Sequence, residues 1–341
     1  MSILVTGAAG FIGSSLCGHL LDSGHEVLGV DNLNAYYDPA LKEARLERLL
    51  SREGFTFQRL DLTDQVAMEG LRQCSIGPIV HLAAQAGVRH SITHPFEYMD
   101  ANLTAWLEVL ELARAIETPH LILASSSSVY GANESLPFAS SDTVDRPLSL
   151  YAASKRAGEL LAHSYAHLYR IPTSITRLFT VYGPWGRPDM ALWLFAEAIQ
   201  QGRSIDLFNE GKHRRDFTYV DDVVEALGGL IRHPATPSET YNPLAPEPDT
   251  SDAPFRIYNI GNDTSVELVY FVELIEKALG KTTQRQLMPM QPGDVEASLA
   301  EISPIKEAIG WSPSTPIEVG VPRFIEWLTA WQAEHESTLR S

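Results

Sequence analysis

Cysteine is scarce in this chain, with two in 341 residues, Cys17 and Cys74. Both fall in helical patterns far apart in sequence. A disulfide framework is therefore excluded as the basis of the fold, and small core or surface roles in a reducing cytoplasm are expected. Basic charge is also in deficit: 26 Lys and Arg stand against 43 Asp and Glu, a formal net charge of −17. That is the wrong sign for a nucleic-acid surface, and it leaves any anionic ligand to be met by local donors. No apolar run approaches the length of a membrane span, so no membrane partner is expected. The start, residues 1–7, has no basic region ahead of an apolar stretch and reads as a strand rather than a signal peptide. Internal repeats, a Gly-x-Ser-x-Gly elbow and paired Cys/His arrangements are all missing. The eleven histidines show no metal-ligand spacing. His163 and His167 share a helix face as exposed residues without a third ligand, and no metal site is expected.

What the chain does have begins at its first strand. Residues 3–6 are apolar and lead into Gly7-Ala8-Ala9-Gly10-Phe11-Ile12-Gly13, after which Ile12, Leu16, Leu20 and Leu21 fall at helical spacing. Strand, glycine turn and helix form the opening unit of a dinucleotide-binding fold. Gly7, Gly10 and Gly13 let the backbone turn tightly and approach a pyrophosphate at the helix N-terminus. The spacing is GxxGxxG rather than GxGxxG. A second strand, 26–30, ends in Asp31-Asn32. A carboxylate there accepts hydrogen bonds from an adenosine ribose and repels a 2′-phosphate, which favours NAD over NADP; a turn-forming aspartate is the plainer alternative. A third strand, 55–60, is followed by Asp61-Leu62, placed to contact adenine.

Residues 40–52 and 65–73 read as helices and 79–82 as a buried strand. The loop after it, Ala83-Ala84-Gln85-Ala86-Gly87-Val88-Arg89, lies at a carboxyl end where open α/β sheets bind ligands. Arg89 there either clamps a phosphate or carboxylate or is simply solvated. A long helix, 96–117, and a strand, 121–124, lead into the serines 125–128, and downstream comes Tyr151-Ala152-Ala153-Ser154-Lys155. Residues four apart share a helix face, so the Tyr151 phenol and the Lys155 ammonium can stand side by side. A nearby cation favours the phenolate and turns a poor base into a usable one. Ser126, brought close, can hydrogen-bond the same substrate oxygen. Alone, the Tyr-x-x-x-Lys tetrad is an ordinary amphipathic helix opening; its place downstream of a nucleotide-binding turn gives it meaning.

Residues 172–178 form a further strand. From Thr180 the chain becomes aromatic and turn-rich, through Tyr182-Gly183-Pro184-Trp185-Gly186-Arg187-Pro188. A helix over 190–200 and a segment 205–212 follow. Arg214-Arg215 form a candidate phosphate clamp or a solvated pair ahead of a strand at 217–220 and a helix from 221. Residues 233–254 read as a surface loop. A strand at 256–260, a helix at 266–279, a turn at Pro292-Gly293-Asp294 and helices at 303–309 and 316–332 complete the chain. The expected class is α/β, a doubly wound parallel (Rossmann) sheet with a smaller C-terminal α/β substrate-binding lobe. Residues 1–180 are expected in the nucleotide-binding domain, with 217–232 and 255–262 returning to it, and 181–341 mainly in the substrate lobe.

The glycine turn, His81-Leu82-Ala83-Ala84, the Ser-x-x-Val-Tyr-Gly run ending at Gly131, Tyr151/Lys155 and Tyr182-Gly183-Pro184 go together. With them the chain resembles the NAD-dependent epimerase/dehydratase family of extended short-chain dehydrogenases/reductases over almost its full length. The more specific stretches 31–39, 180–191, 215–222 and 290–295 are similar to members acting on a UDP-uronic acid. The resemblance implies tightly held NAD, contacted by Gly7, Gly10, Phe11, Ile12, Gly13, Asp31, Asn32, Asp61, Leu62, Leu82, Ala83, Ala84, Gln85, Ser125, Tyr151 and Lys155. It implies that Tyr151 removes the proton from the sugar 4-hydroxyl, that Lys155 holds the nicotinamide ribose and keeps Tyr151 ionisable, and that Ser126 hydrogen-bonds the reacting oxygen. Arg215, Asp294 and the backbone near Leu207 would hold the uridine diphosphate, with Arg89 and Arg187 as further substrate contacts.

Oxidising glucuronate at carbon 4 makes a β-keto acid that loses carbon dioxide readily, so the carboxylate has to be held; Ser127, Ser128 and Thr180 offer hydroxyls for it. Related decarboxylases carry Glu, and 4,6-dehydratases Asp-Glu, where Ser127-Ser128 stand here. Galactose-type 4-epimerases usually have Asn in place of Thr180. The implied activity is reversible 4-epimerisation of UDP-glucuronate to UDP-galacturonate through a 4-keto intermediate. A neutral UDP-hexose 4-epimerase and a non-catalytic NAD-binding sensor or scaffold are the alternatives. After Val295 the chain reads Glu296-Ala297-Ser298, where the family usually shows Thr, Trp and Asp. A homodimer through helices 96–117 and 151–170 is the family expectation.

Overall fold

Runs such as residues 3–6 and 121–124 carry apolar side chains on both faces, as strands buried between two helical layers require. In the computed structural model, which describes residues 1–291 and 293–339, these runs form a central parallel sheet. Its strands are β1 (Ser2–Thr6), β2 (Val27–Asp31), β3 (Phe55–Arg59), β4 (Ile76–His81), β5 (Leu121–Ser126), β6 (Thr173–Leu178) and, after three further strands, β10 (Phe255–Ile260). The order across the sheet is β10-β6-β5-β4-β1-β2-β3, every pairing parallel. The chain runs outward from β1 to β3 and then returns to the other side of β1 as β4. The carboxyl ends of β1 and β4 thereby diverge, opening the crevice where doubly wound sheets bind ligands.

Two apolar layers cover the sheet. On one face, Leu16 and Leu20 of the helix Phe11–Asp22 meet Val223, Leu227 and Leu230 of the helix Val220–Ile231. On the other, Trp106, Val109 and Leu110 of the helix Ala105–Ala115 join Ala162 and Ala166 of the helix Leu150–Tyr169. The helix expected over 96–117 runs as Pro95–Met99, a π-helical turn at Asp100–Thr104, and Ala105–Ala115.

The smaller lobe holds two further sheets. β7 (Thr180–Tyr182), β9 (Arg214–Tyr219) and β11 (Ser265–Glu267) form one, in the order β11-β9-β7; β8 (Ile205–Leu207) and β12 (Arg285–Leu287) pair in the other. Residues 217–219 thus belong to the small sheet as part of β9, whereas the helix after them covers the large one and β10 joins its edge. The reason is pairing: β9 finds β7 and β11 as partners and hands the chain back through its helix. The loop 233–254 is pinned to the nucleotide-binding side by several bonds, among them Ser140 Oγ donating to Asp249 Oδ2 at 2.6 Å, Arg170 donating to the Asp252 carbonyl at 3.0 Å, and His163 Nε2 at 2.9 Å from Ser251 Oγ. His163 is therefore half-buried in a structural contact rather than free on the surface. Pro292, in the turn expected at 292–294, lies outside the described residues.

Candidate active site

The glycine turn is built by exclusion. Gly7 has φ +71°, and a Cβ there would stand 2.8 Å from the Ala83 nitrogen; one on Gly13 would collide with the Gly7 carbonyl. Turn, helix start and the β4 loop can close together only without side chains at these positions. Thr6 at the end of β1 locks the same junction, because its Oγ1 accepts from the Leu82 and Ala83 N–H groups at 3.2 Å each and lies 2.8 Å from His81 Nδ1. Asp31 forms the turn that the plainer reading gave it. Its carboxylate accepts from Ala9 N at 3.1 Å and Leu33 N at 2.8 Å, shaping the turn, and it still lines the cleft. Asn32 donates to Asp61 at 2.8 Å, which ties the ends of β2 and β3 into one wall.

These elements open onto one cleft of about 1450 Å³ that spans the crevice and the small lobe. The residues singled out from the sequence for chemistry, cofactor or substrate line it, with two exceptions, Leu207 and Arg214. Leu207 is 1% exposed and packs into the small-lobe core, while Asp206 and Phe208 on either side face the cleft. Strand alternation decides this, since β8 buries Ile205 and Leu207 and turns Asp206 outward. The arginine pair divides for the same reason. Arg215 lines the cleft, its guanidinium donating to the Glu296 and Arg214 carbonyls at 3.0 Å, whereas exposed Arg214 pairs with Glu267 at 2.7 Å.

Tyr151 and Lys155 sit on the first turns of the helix Leu150–Tyr169, capped by Ser149 Oγ accepting from Ala152 N at 3.1 Å. Burial raises the Tyr151 phenol above its ordinary range, opposed by a hydrogen bond with Ser126 and by the charge of Arg187. Lys155 is buried, which lowers its ammonium to about 8, and it donates to the Ala124 carbonyl at 2.9 Å. The charge acting on the phenol in this structure therefore comes from Arg187, a cation that spacing along the helix does not disclose. Ser126 caps the 3-10 turn Ser127–Tyr130 by accepting from Ser128 N at 3.2 Å. The Ser125 hydroxyl is already given to Glu159 at 2.6 Å, and Glu159 in turn receives Arg177 at 3.0 Å, both side chains fully buried.

The loop after β4 is held by Asn102 on the π-helical turn. Its Oδ1 accepts from Gln85 N at 2.8 Å, and its Nδ2 donates to the Gln85 carbonyl and to Ser154 Oγ at 3.0 Å. At the far end of the cleft the Arg89 guanidinium stands 5.1 Å from the Phe208 ring centroid and 3.7 Å from Asp294. Arg187 forms a two-pronged pair with Asp189 at 2.9 and 2.8 Å, and Tyr36 donates to the same carboxylate at 3.2 Å. Phe208, Asn102 and Glu159 were not singled out from the sequence, and Tyr36 and Asp189 entered only within the stretches 31–39 and 180–191, without a role. Phe208 alone left a local signal, the strand alternation that exchanges it for Leu207.

A doubly wound sheet, a glycine turn built for a dinucleotide, and a Tyr/Lys/Ser group lining the cleft at the carboxyl end of β5 define an NAD-dependent enzyme of the short-chain dehydrogenase/reductase type. The family model for the NAD dependent epimerase/dehydratase family matches residues 3–243, and the chain belongs to that family. It is 49% identical over 332 residues to a probable UDP-glucuronate 4-epimerase of Rhizobium meliloti, covering 96% of each chain. Among solved structures it is similar to the UDP-glucuronic acid 4-epimerase from Bacillus cereus in complex with UDP-glucuronic acid and NAD. That likeness has a TM-score of 0.84 at 31% identity and covers 97% of this chain and 100% of that one. It is also similar to the UDP-glucose 4-epimerase from Thermotoga maritima with UDP-glucose, with a TM-score of 0.83 at 27% identity over 97% and 100%.

Proposed function

We propose that the protein interconverts UDP-glucuronate and UDP-galacturonate by epimerisation at carbon 4 through a 4-keto sugar. The observation that carries this is the half-buried Tyr151 in one cleft with Ser126 and, on the wall beside it, hydroxyls and a cation: Ser127, Ser128, Thr180 and Arg187. The residues present fit NAD, because the turn and the helix start close together only with glycine at 7 and 13, and the Asp31 carboxylate lines the same cleft. Gly10 to Gly13 would hold the pyrophosphate and Lys155 the nicotinamide ribose; NAD, when bound, supplies a reversible hydride acceptor. Tyr151 takes the proton of the 4-hydroxyl and returns it to the same oxygen on the new face. Ser126 keeps that oxygen in line. Ser127, Ser128, Thr180 and Arg187 hold the sugar carboxylate so that its bond to carbon 5 cannot align with the keto group, which withholds decarboxylation. The two positions after Ser126 are the serines 127 and 128 rather than the acids that decarboxylation or dehydration would use. Arg89, Phe208, Arg215 and Asp294 are assigned to the uridine diphosphate.

We assign the assembly to a homodimer. Phe96 on the helix Pro95–Met99, Leu107 on Ala105–Ala115, and Leu160, Leu168 and Tyr169 on Leu150–Tyr169 are 80, 41, 55, 66 and 48% exposed, an apolar surface that two copies would cover together. Among the described residues no helix is long and apolar enough to cross a membrane, and both cysteines are free, which suits a cytoplasmic enzyme. The deciding experiment incubates the protein with UDP-glucuronate and with UDP-glucose and monitors sugar products and carbon dioxide. The expected result is UDP-galacturonate without carbon dioxide. Conversion of UDP-glucose alone would overturn the substrate, and a fully active Tyr151→Phe variant would overturn the base.

A further inference from the structure

His90 opens the short helix His90–Thr93 directly after the Arg89 loop, and Glu97 lies in the next helix, Pro95–Met99. His94 stands between them with φ −128° and ψ 57°. The His90 and His94 rings stack, their centroids 4.0 Å and planes 10° apart, and His90 Nε2 is 2.8 Å from Glu97 Oε2. One ligating atom from each of the three lies within 4.8 Å of the others. We propose that His90, His94 and Glu97 bind one divalent transition-metal ion of the zinc class at the mouth of the cleft.

Two imidazole nitrogens and one carboxylate oxygen suit Zn²⁺, Co²⁺ or Ni²⁺ and not the oxygen-seeking Mg²⁺ or Ca²⁺. Donors about 2.0–2.2 Å from a tetrahedral ion stand roughly 3.4 Å apart, and the separations here bracket that figure. Stacked rings cannot both aim their in-plane lone pairs at one ion, so one must turn. His94 is the exposed member and so the one that turns, and Thr93 Oγ1, 2.8 Å from His94 Nδ1, leaves Nε2 for the ion. A hydroxyl behind a ligating imidazole fixes its orientation. Pro95 at the first helical position secures the turn that carries Glu97. Arg89, the adjacent cation, is engaged with Phe208 and Asp294, and the net charge of −17 favours an incoming cation. Three protein ligands leave a fourth position for water.

The site touches the cleft at two places. His90 and Glu97 line it, and the His90 ring meets Tyr36 edge-on at 4.9 Å, the same Tyr36 that bonds Asp189 behind Arg187.

The test uses the NAD-loaded protein after chelator treatment, titrated with Zn²⁺ by calorimetry and with Co²⁺ by visible absorption. One ion per chain is expected, with a raised unfolding temperature and no competition from Mg²⁺ at equal concentration. His94→Ala and Glu97→Gln, both at exposed positions, should each weaken binding at least tenfold while the metal-free unfolding temperature stays put. Unchanged affinity in the combined His94→Ala/Glu97→Gln variant, or displacement by equal Mg²⁺, would overturn the proposal.

Discussion

The Lys155 ammonium lies 5.3 Å from the centroid of the Trp106 ring while donating to the Ala124 carbonyl. The ring is fixed on its other sides: a Cβ on Gly158 would come within 2.8 Å of it, and His81 meets it edge-on at 5.4 Å. A buried ammonium has lost its water, and an aromatic face restores part of that stabilisation, up to about 2 kcal/mol when desolvated. Trp106→Leu should therefore push Lys155 further below about 8. Turnover that depends on the charged lysine should then fall off at lower pH in the variant; a lowering worth about 1.4 kcal/mol gives a deficit of roughly fivefold at pH 8, nearing tenfold above it and shrinking towards pH 6. Full pH–kcat profiles of both proteins check this. A deficit equal at every pH would reduce Trp106 to packing.

Glu159 and Arg177 are a fully buried pair, with Ser125 bonded to the same carboxylate. Glu159→Gln strands an uncompensated guanidinium, and breaking such a pair costs roughly 3–5 kcal/mol. Urea unfolding should show that loss, and adding Arg177→Met should recover part of it. A variant as stable as the parent would mean that the pair contributes nothing.

Asp216 is fully buried, its carboxylate accepting from Asn262 N at 2.6 Å, Ala300 N at 3.0 Å and Thr218 Oγ1 at 3.2 Å. Burial pushes it from the ordinary 3.8 to about 6 against those bonds. A raised acid binds its proton more tightly in the folded state, so its stabilising contribution is present below pH 3.8 and lost as pH rises through about 6. The stability of the parent relative to Asp216→Asn should therefore increase as pH falls from 7 to 4, by up to roughly 3 kcal/mol. Thermal unfolding of both proteins across that range checks the sign. A gap independent of pH would show that Asp216 does not titrate there.

Arg45 is buried without a carboxylate against it in the hydrogen-bond network. Its guanidinium donates to the carbonyls of Trp185 at 2.6 Å, Gly186 at 3.0 Å and Ala9 at 3.3 Å, and to the Tyr37 hydroxyl at 2.6 Å. It thereby joins the glycine turn to the loop that carries Arg187. Arg45→Met should loosen that loop and raise KM for the uronic-acid nucleotide roughly tenfold, about 1.4 kcal/mol, with a smaller change in kcat. Steady-state kinetics decide, and an unchanged KM would confine Arg45 to stability.

What the sequence determined by itself is local. A glycine turn, a helix start and two side chains four residues apart are fixed by neighbours along the chain, so the sheet opening, Asp31 and the Tyr151/Lys155 face were readable without coordinates. Short strands alternating with helices after that opening unit likewise announced a parallel sheet. Tertiary structure decided which partners those groups meet: Trp106 against Lys155, Arg187 acting on Tyr151, Glu159 taking Ser125, and the sheet that β9 joins. It also decided which side of a strand faces the cleft, choosing Phe208 over Leu207 and Arg215 over Arg214, and it converged His90, His94 and Glu97. The physical reason is that burial and charge act through space between segments far apart in sequence, and chain spacing carries no record of that distance.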